Sequence, residues 1–144
     1  IVADKFHVLR LLNNHINRYR KQYTGDDRKN PIRKLLLCSG KNIDYFKRAA
    51  IEKWLEDKPE LRELYFYKEA LHKLYRTKGH SKARRALTKL TDKMAYSNLK
   101  EVRSLRNTLR KWSTEILNYF KTKWMMSYHK LILGGKQKQF QLID

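Results

Sequence analysis

Cysteine, proline, glycine and acidic side chains are all scarce in this 144-residue chain, and each scarcity excludes something. The single cysteine, Cys38, excludes a disulfide scaffold and any multi-cysteine zinc site, and it fits a reducing compartment. Five glycines and two prolines are too few for a β-sandwich, which needs a turn signal every few residues. No apolar run approaches the roughly 20 residues that span a bilayer, and no signal peptide is visible. The expected setting is soluble and intracellular, with no membrane partner. The length suits one domain and would crowd two. A hydrophobic fraction of 41% with 12% aromatics supplies enough apolar surface to offset chain entropy, which excludes wholesale disorder.

Acidic residues number 14 against 34 basic ones, giving a net charge of +20. The excess is uneven. Residues 70–111 carry 13 basic and 2 acidic side chains and residues 1–43 carry 10 and 3, whereas residues 44–69, with 6 and 7, are nearly neutral. Self-repulsion on this scale works against a compact fold, so an acidic partner is its usual reason. Nucleic-acid phosphate is the commonest such partner. The candidate DNA-binding side chains are Lys5, Arg10, Arg84, Arg85, Lys89, Arg103, Arg106 and Arg110. A charged face that is merely solvated is the alternative.

Apolar residues recur at helical spacing along most of the chain. Phe6, Leu9, Leu12, Ile16, Tyr19 and Tyr23 mark one face of a first helix that Gly25 closes. Asn30-Pro31 opens a short helix burying Ile32, Leu35 and Leu36, with Gly40 at its end. A third helix, about 43–57, presents Phe46, Ala50 and Trp54. Pro59 starts a fourth, with Leu61, Leu64, Tyr65, Leu71, Leu74 and Tyr75 on its apolar face and Gly79 as its stop. Ser81 is the expected cap of a fifth helix, whose core side holds Ala83, Leu87, Leu90 and Met94. Asn98 with Glu101 reads as a loose capping box before a long last helix through Leu99, Val102, Leu105, Leu109, Trp112, Ile116 and Phe120. The stripe stops after Trp124. The expected fold is mainly α, about six helices, with a vestigial strand at residues 1–3.

Most catalytic chemistry is unsupported. The five histidines share no metal-ligand spacing with Cys38, Gly134-Gly135 lacks the context of a phosphate loop, and no nucleophile elbow or triad pattern occurs. The aromatic run Tyr65-Phe66-Tyr67 could stack bases, as aromatics do on single-strand platforms, but at helical spacing it reads first as core. Asp4 stands apart. A carboxylate between an apolar strand and a helix lies where α/β active sites place catalytic residues, and such a group can hold Mg²⁺; a helix N-cap is its plainer reading. The opening Ile1-Val2-Ala3-Asp4, without Met, reads as the end of a buried strand cut from a longer protein.

The run Val2-Ala3-Asp4-Lys5-Phe6-His7-Val8-Leu9-Arg10 resembles the D-x-F-H-V-x-R segment of bacterial insertion-sequence transposases of the ISL-three family. Leu61 to Leu71, with Tyr67-Lys68-Glu69 inside it, resembles that family's aromatic-Lys-Glu helix, and Glu115 to Thr122 is similar to the stretch before its third catalytic acid. The resemblance covers residues 1 to about 123. It implies that Asp4 is the second acid of a DDE triad, both a catalytic group and a metal ligand. It further implies a ribonuclease-H-like core in which three carboxylates hold two Mg²⁺ ions for DNA cleavage and strand transfer. Residues 1–5 would end a core strand, residues 6–123 would form a helical insertion on that core, and residues 124–144 would be a divergent tail.

Two departures bear on activity. The family's first Asp would precede Ile1. After Lys123 the family pattern of Thr-Asn-Gly and a catalytic Glu is replaced by Trp124-Met125-Met126-Ser127-Tyr128-His129-Lys130, with no Glu after Glu115, as a frameshift near Trp124 would produce. The expectation is a truncated transposase, inactive and without bound Mg²⁺ by itself. Its expected partners are transposon-end DNA and, in the intact parent, a second copy, and its expected place is the bacterial cytoplasm beside the nucleoid. The alternative is an autonomous basic helical module that binds nucleic acid without catalysis. A non-functional remnant whose helices lack their sheet and aggregate, with the exposed back of Ile1-Val2-Ala3 and unpartnered Trp54 or Trp112 as liabilities, is the third expectation.

Overall fold

A computed structural model describes residues 5–121, with side chains from residue 7 onward. Among the described residues every regular element is helical. These are α1 (Lys5–Thr24), α2 (Pro31–Leu37), the 3-10 turn η1 (Gly40–Asn42), α3 (Tyr45–Leu55), α4 (Pro59–Tyr75), α5 (His80–Met94) and α6 (Lys100–Lys111). After a break at Trp112, residues 113–121 are helical again. The expected strand at residues 1–3 and the tail at 124–144 lie outside the described residues, as does Asp4.

Helix α4 is the axis of the bundle. It packs against α1, α3 and α5, while α1 also touches α2 and α6. Its stripe Leu61, Leu64, Leu71 and Leu74 is buried, as the 3.6-residue period requires. Facing it, α1 buries Val8, Leu9, Leu12 and Ile16 and α5 buries Ala83, Leu87 and Met94, while α6, packed on α1 and α5, buries Val102, Leu105 and Leu109. Phe120, in the last helical stretch, stacks on Tyr75 with centroids 6.4 Å apart. No described helix is long and apolar enough to cross a membrane.

The helix ends show why the chain turns where it does. Gly25 sits at φ +68°, a conformation that costs a side-chain-bearing residue dearly, and its N–H bonds the Lys21 carbonyl at 2.9 Å to close α1. Asn30 caps α2 through its side-chain oxygen, which accepts from the Ile32 N–H at 3.0 Å, with Pro31 at the first helical position. Asp44 caps α3 in the same way through the Lys47 N–H at 2.8 Å.

Several expectations are corrected. On α3 the buried residues are Ile51 and Leu55; Ala50 is exposed and Phe46 is 81% exposed, because α3 carries two apolar stripes and only one meets the bundle. Helix α2 ends at Leu37, and Gly40 begins η1 instead of ending α2. Gly79 rather than Ser81 is the N-cap of α5. Glu101 does not cap its own helix: Leu99 is the N-cap, its N–H bonds Ser97 Oγ at 3.0 Å, and the Glu101 carboxylate reaches across to α1. The long last helix is interrupted at Trp112. Trp54 and Trp112 are half-buried, Trp54 lying edge-on to Tyr23 at 6.3 Å and Trp112 packing against the core.

Candidate nucleic-acid interface

The densest run of positive charge, residues 70–111, builds α5 and α6, and their pairing decides where that charge points. Arg84 on α5 with Arg106 and Arg110 on α6 lines a groove of about 460 Å³ between the two helices. A shallow depression of about 570 Å³ along α5 continues it, lined by His80, Ser81, Arg84, Arg85, Lys89 and Asp92, among others. The two share Arg84, Thr88 and Asp92, so they form one surface. Helical spacing is the reason: Arg85 and Lys89 are four apart, as are Arg106 and Arg110, and such residues share a face. Arg106 is anchored, its Nε donating to the Thr91 carbonyl at 2.9 Å. A single carboxylate, Asp92, stands among these cations.

Five of the eight expected DNA-binding residues therefore come together: Arg84, Arg85, Lys89, Arg106 and Arg110. Arg103 lines neither part and donates instead to the Ser97 carbonyl at 3.4 Å. Arg10 is exposed on α1 and also lies outside the groove. Lys5 opens α1, but its side chain is outside the described part.

The Tyr67-Lys68-Glu69 run has a structural role in holding α2 and η1 to α4. The Lys68 ammonium is fully buried; it donates to the Leu36 carbonyl at 2.6 Å and to the Cys38 carbonyl, and it pairs with Glu69 Oε1 at 2.9 Å. Glu69 in turn accepts the Gly40 N–H at 3.0 Å on both oxygens. Together they clamp the end of α2 and the start of η1 onto α4. Burial lowers the Lys68 pKa, with Glu69 pulling the other way, while burial and the Glu69 charge push Tyr65 up to about 12. The signal was present, since Lys68 falls on the apolar stripe between Leu64 and Leu71.

A second buried charge bridges distant helices. Glu101 accepts from Arg18 at 3.2 Å and from Tyr19 at 3.1 Å. Its burial opposes ionisation, but a backbone N–H bond at Glu101 itself, the Tyr19 hydroxyl and the Arg18 charge outweigh that and hold its pKa below the usual carboxylate value.

Among the described residues no group of three His, Cys, Asp or Glu is arranged to hold a metal. Asp4, the expected metal ligand, lies outside the described residues.

Fold and site define a basic, mainly helical body carrying an arginine-lined groove. A family model described as a transposase, of the DDE-type ISL-three group, matches residues 1–128, and the chain belongs to that family. No curated protein and no solved structure gives a significant match.

Proposed function

We propose that this chain is the DNA-holding helical insertion of a DDE transposase, and that its α5–α6 groove grips transposon-end DNA through the phosphates. The carrying observation is the convergence of Arg84, Arg106 and Arg110 on one groove, in a chain of the transposase family. Guanidinium groups in such a groove meet phosphate oxygens bidentately, and contacts of this kind position a duplex without reading its sequence. Asp4 enters as the second acid of the triad. Three carboxylates are needed to hold the Mg²⁺ ions that such cleavage uses, and Asp4 alone cannot do so. The chain by itself therefore binds DNA without cutting it. The autonomous binding module is less well supported, because it leaves the Asp4 motif and the family match unexplained.

Titrating duplex DNA at a series of salt concentrations tests the reading. Affinity should fall with a log–log slope of about −0.9 per phosphate contacted, and Arg84→Gln or Arg110→Gln should each make the slope shallower by about 0.9. A flat salt response overturns the electrostatic grip. Mg²⁺-dependent nicking that disappears in Asp4→Ala overturns the claim of inactivity.

A further inference from the structure

Of the aromatic run singled out above, Tyr67 is buried, but Phe66 is 46% exposed. Phe66 stands where two grooves meet. The first, about 300 Å³ between α4 and α5, is lined by Phe66, Ala70 and Ala86 together with Lys73, Lys89 and Lys93, and by no carboxylate. The second, about 530 Å³ beside η1, shares Phe66, Ala70 and Lys73 and adds Lys41, Arg48 and Arg76, alongside Glu52 and Glu69. Among the described residues Lys73, Lys89 and Lys93 enter no ion pair. Lys93 Nζ lies 4.2 Å from the Phe66 ring centroid. Lys89 also lines the α5–α6 surface, so the two charged surfaces join over α5.

We propose that the Phe66 groove takes an unpaired nucleotide of DNA, its base stacked on the ring and its flanking phosphates on Lys73, Lys89 and Lys93. A half-exposed ring surrounded by ammonium groups that enter no ion pair matches both parts of a single strand, the flat base and the charged backbone. An acidic peptide would use the lysines and leave the ring idle. The exposed cation–π contact from Lys93 is weaker than a base stack, so a base can displace it and leave the ammonium beside the backbone. Ala70 and Ala86, having only a methyl group each, keep the groove open between the helices. The assignment deepens the proposed DNA-holding role and rests on it.

The test measures binding of a fluorescent short oligothymidylate, and separately of duplex DNA, to the full chain. Phe66→Ala should weaken oligothymidylate binding about tenfold, within what one base stack commands, and leave duplex binding and the salt slope unchanged. Phe66→Trp should retain single-strand binding, which separates stacking from any loss of fold. Lys73→Gln should instead flatten the single-strand salt slope by about 0.7. Unchanged oligothymidylate affinity in Phe66→Ala, with duplex binding intact, overturns this inference alone. Loss of salt-dependent duplex binding in the unaltered chain overturns the underlying reading. Polyglutamate binding that is equally sensitive to Phe66→Ala overturns the assignment in favour of an acidic protein segment.

Discussion

Replacing Lys68 with methionine removes the ammonium while keeping the volume of its stem, so no cavity confuses the result. The loss has three parts: the Leu36 and Cys38 carbonyls forfeit their donor, and Glu69 keeps its charge without its partner. Breaking a buried pair from one side costs about 3–5 kcal/mol. Glu69 is 28% exposed and retains the Gly40 N–H, so water and that bond soften its share and the lower end, about 3 kcal/mol, is expected. With a urea m-value of about 2 kcal/mol per molar, the midpoint should drop by about 1.5 M at constant m. Against a total stability of about 5–15 kcal/mol, that is a large fraction. Adding Glu69→Gln should cost less than the separate effects predict, because the two side chains act as one clamp. A Lys68→Met midpoint within about 0.3 M of the parent would show that the clamp contributes little.

Gly40→Ala brings a methyl group into the Glu69 carboxylate, which must swing away from the backbone it holds; a loss of about 1–3 kcal/mol is expected by urea titration, and an unchanged midpoint refutes the close approach. Burial, helped by the Arg18 charge at His15 and the Lys68 charge at His72, lowers both histidine pKa values below the ordinary 6.5. Below 6.5 the unfolded chain then binds protons that the folded one refuses, so stability should fall as pH drops from 6.5 toward the folded-state values. The urea midpoint should be lower at pH 5.5 than at pH 7.5, with less of a drop in His72→Gln; an equal or higher midpoint at pH 5.5 contradicts the sign.

The stripes on α1, α4, α5 and α6 were legible because apolar side chains three and four apart must share a face, whatever they pack against. Helix α3 was not, since Phe46, Ala50 and Trp54 form one plausible stripe and Ile51 and Leu55 another, and spacing alone cannot say which meets the bundle. Lys68 and Glu101 lie on buried stripes, at positions where periodicity asks for an apolar residue, and a charge there signals a partner reached through tertiary contact. Those partners, 32 residues away for Leu36 and 83 for Arg18, are invisible to any local reading. The break at Trp112 carries no glycine or proline to announce it. For the groove, charge density located the right helices, but the pairing of α5 with α6 selected Arg106 and Arg110 and set Arg103 and Arg10 aside.

The Arg18–Glu101 bridge has a consequence for synthesis. A ribosome adding about 5–20 residues per second makes Glu101 roughly 4–17 s after Arg18, given their separation of 83 residues. During that interval α4, made earlier, can already pack on the apolar face of α1, but the part of α1 that meets α6 has no partner. Chain order thus fixes the order in which α1 can gain its neighbours, α4 before α6, and the Arg18–Glu101 bridge is among the last contacts that can close.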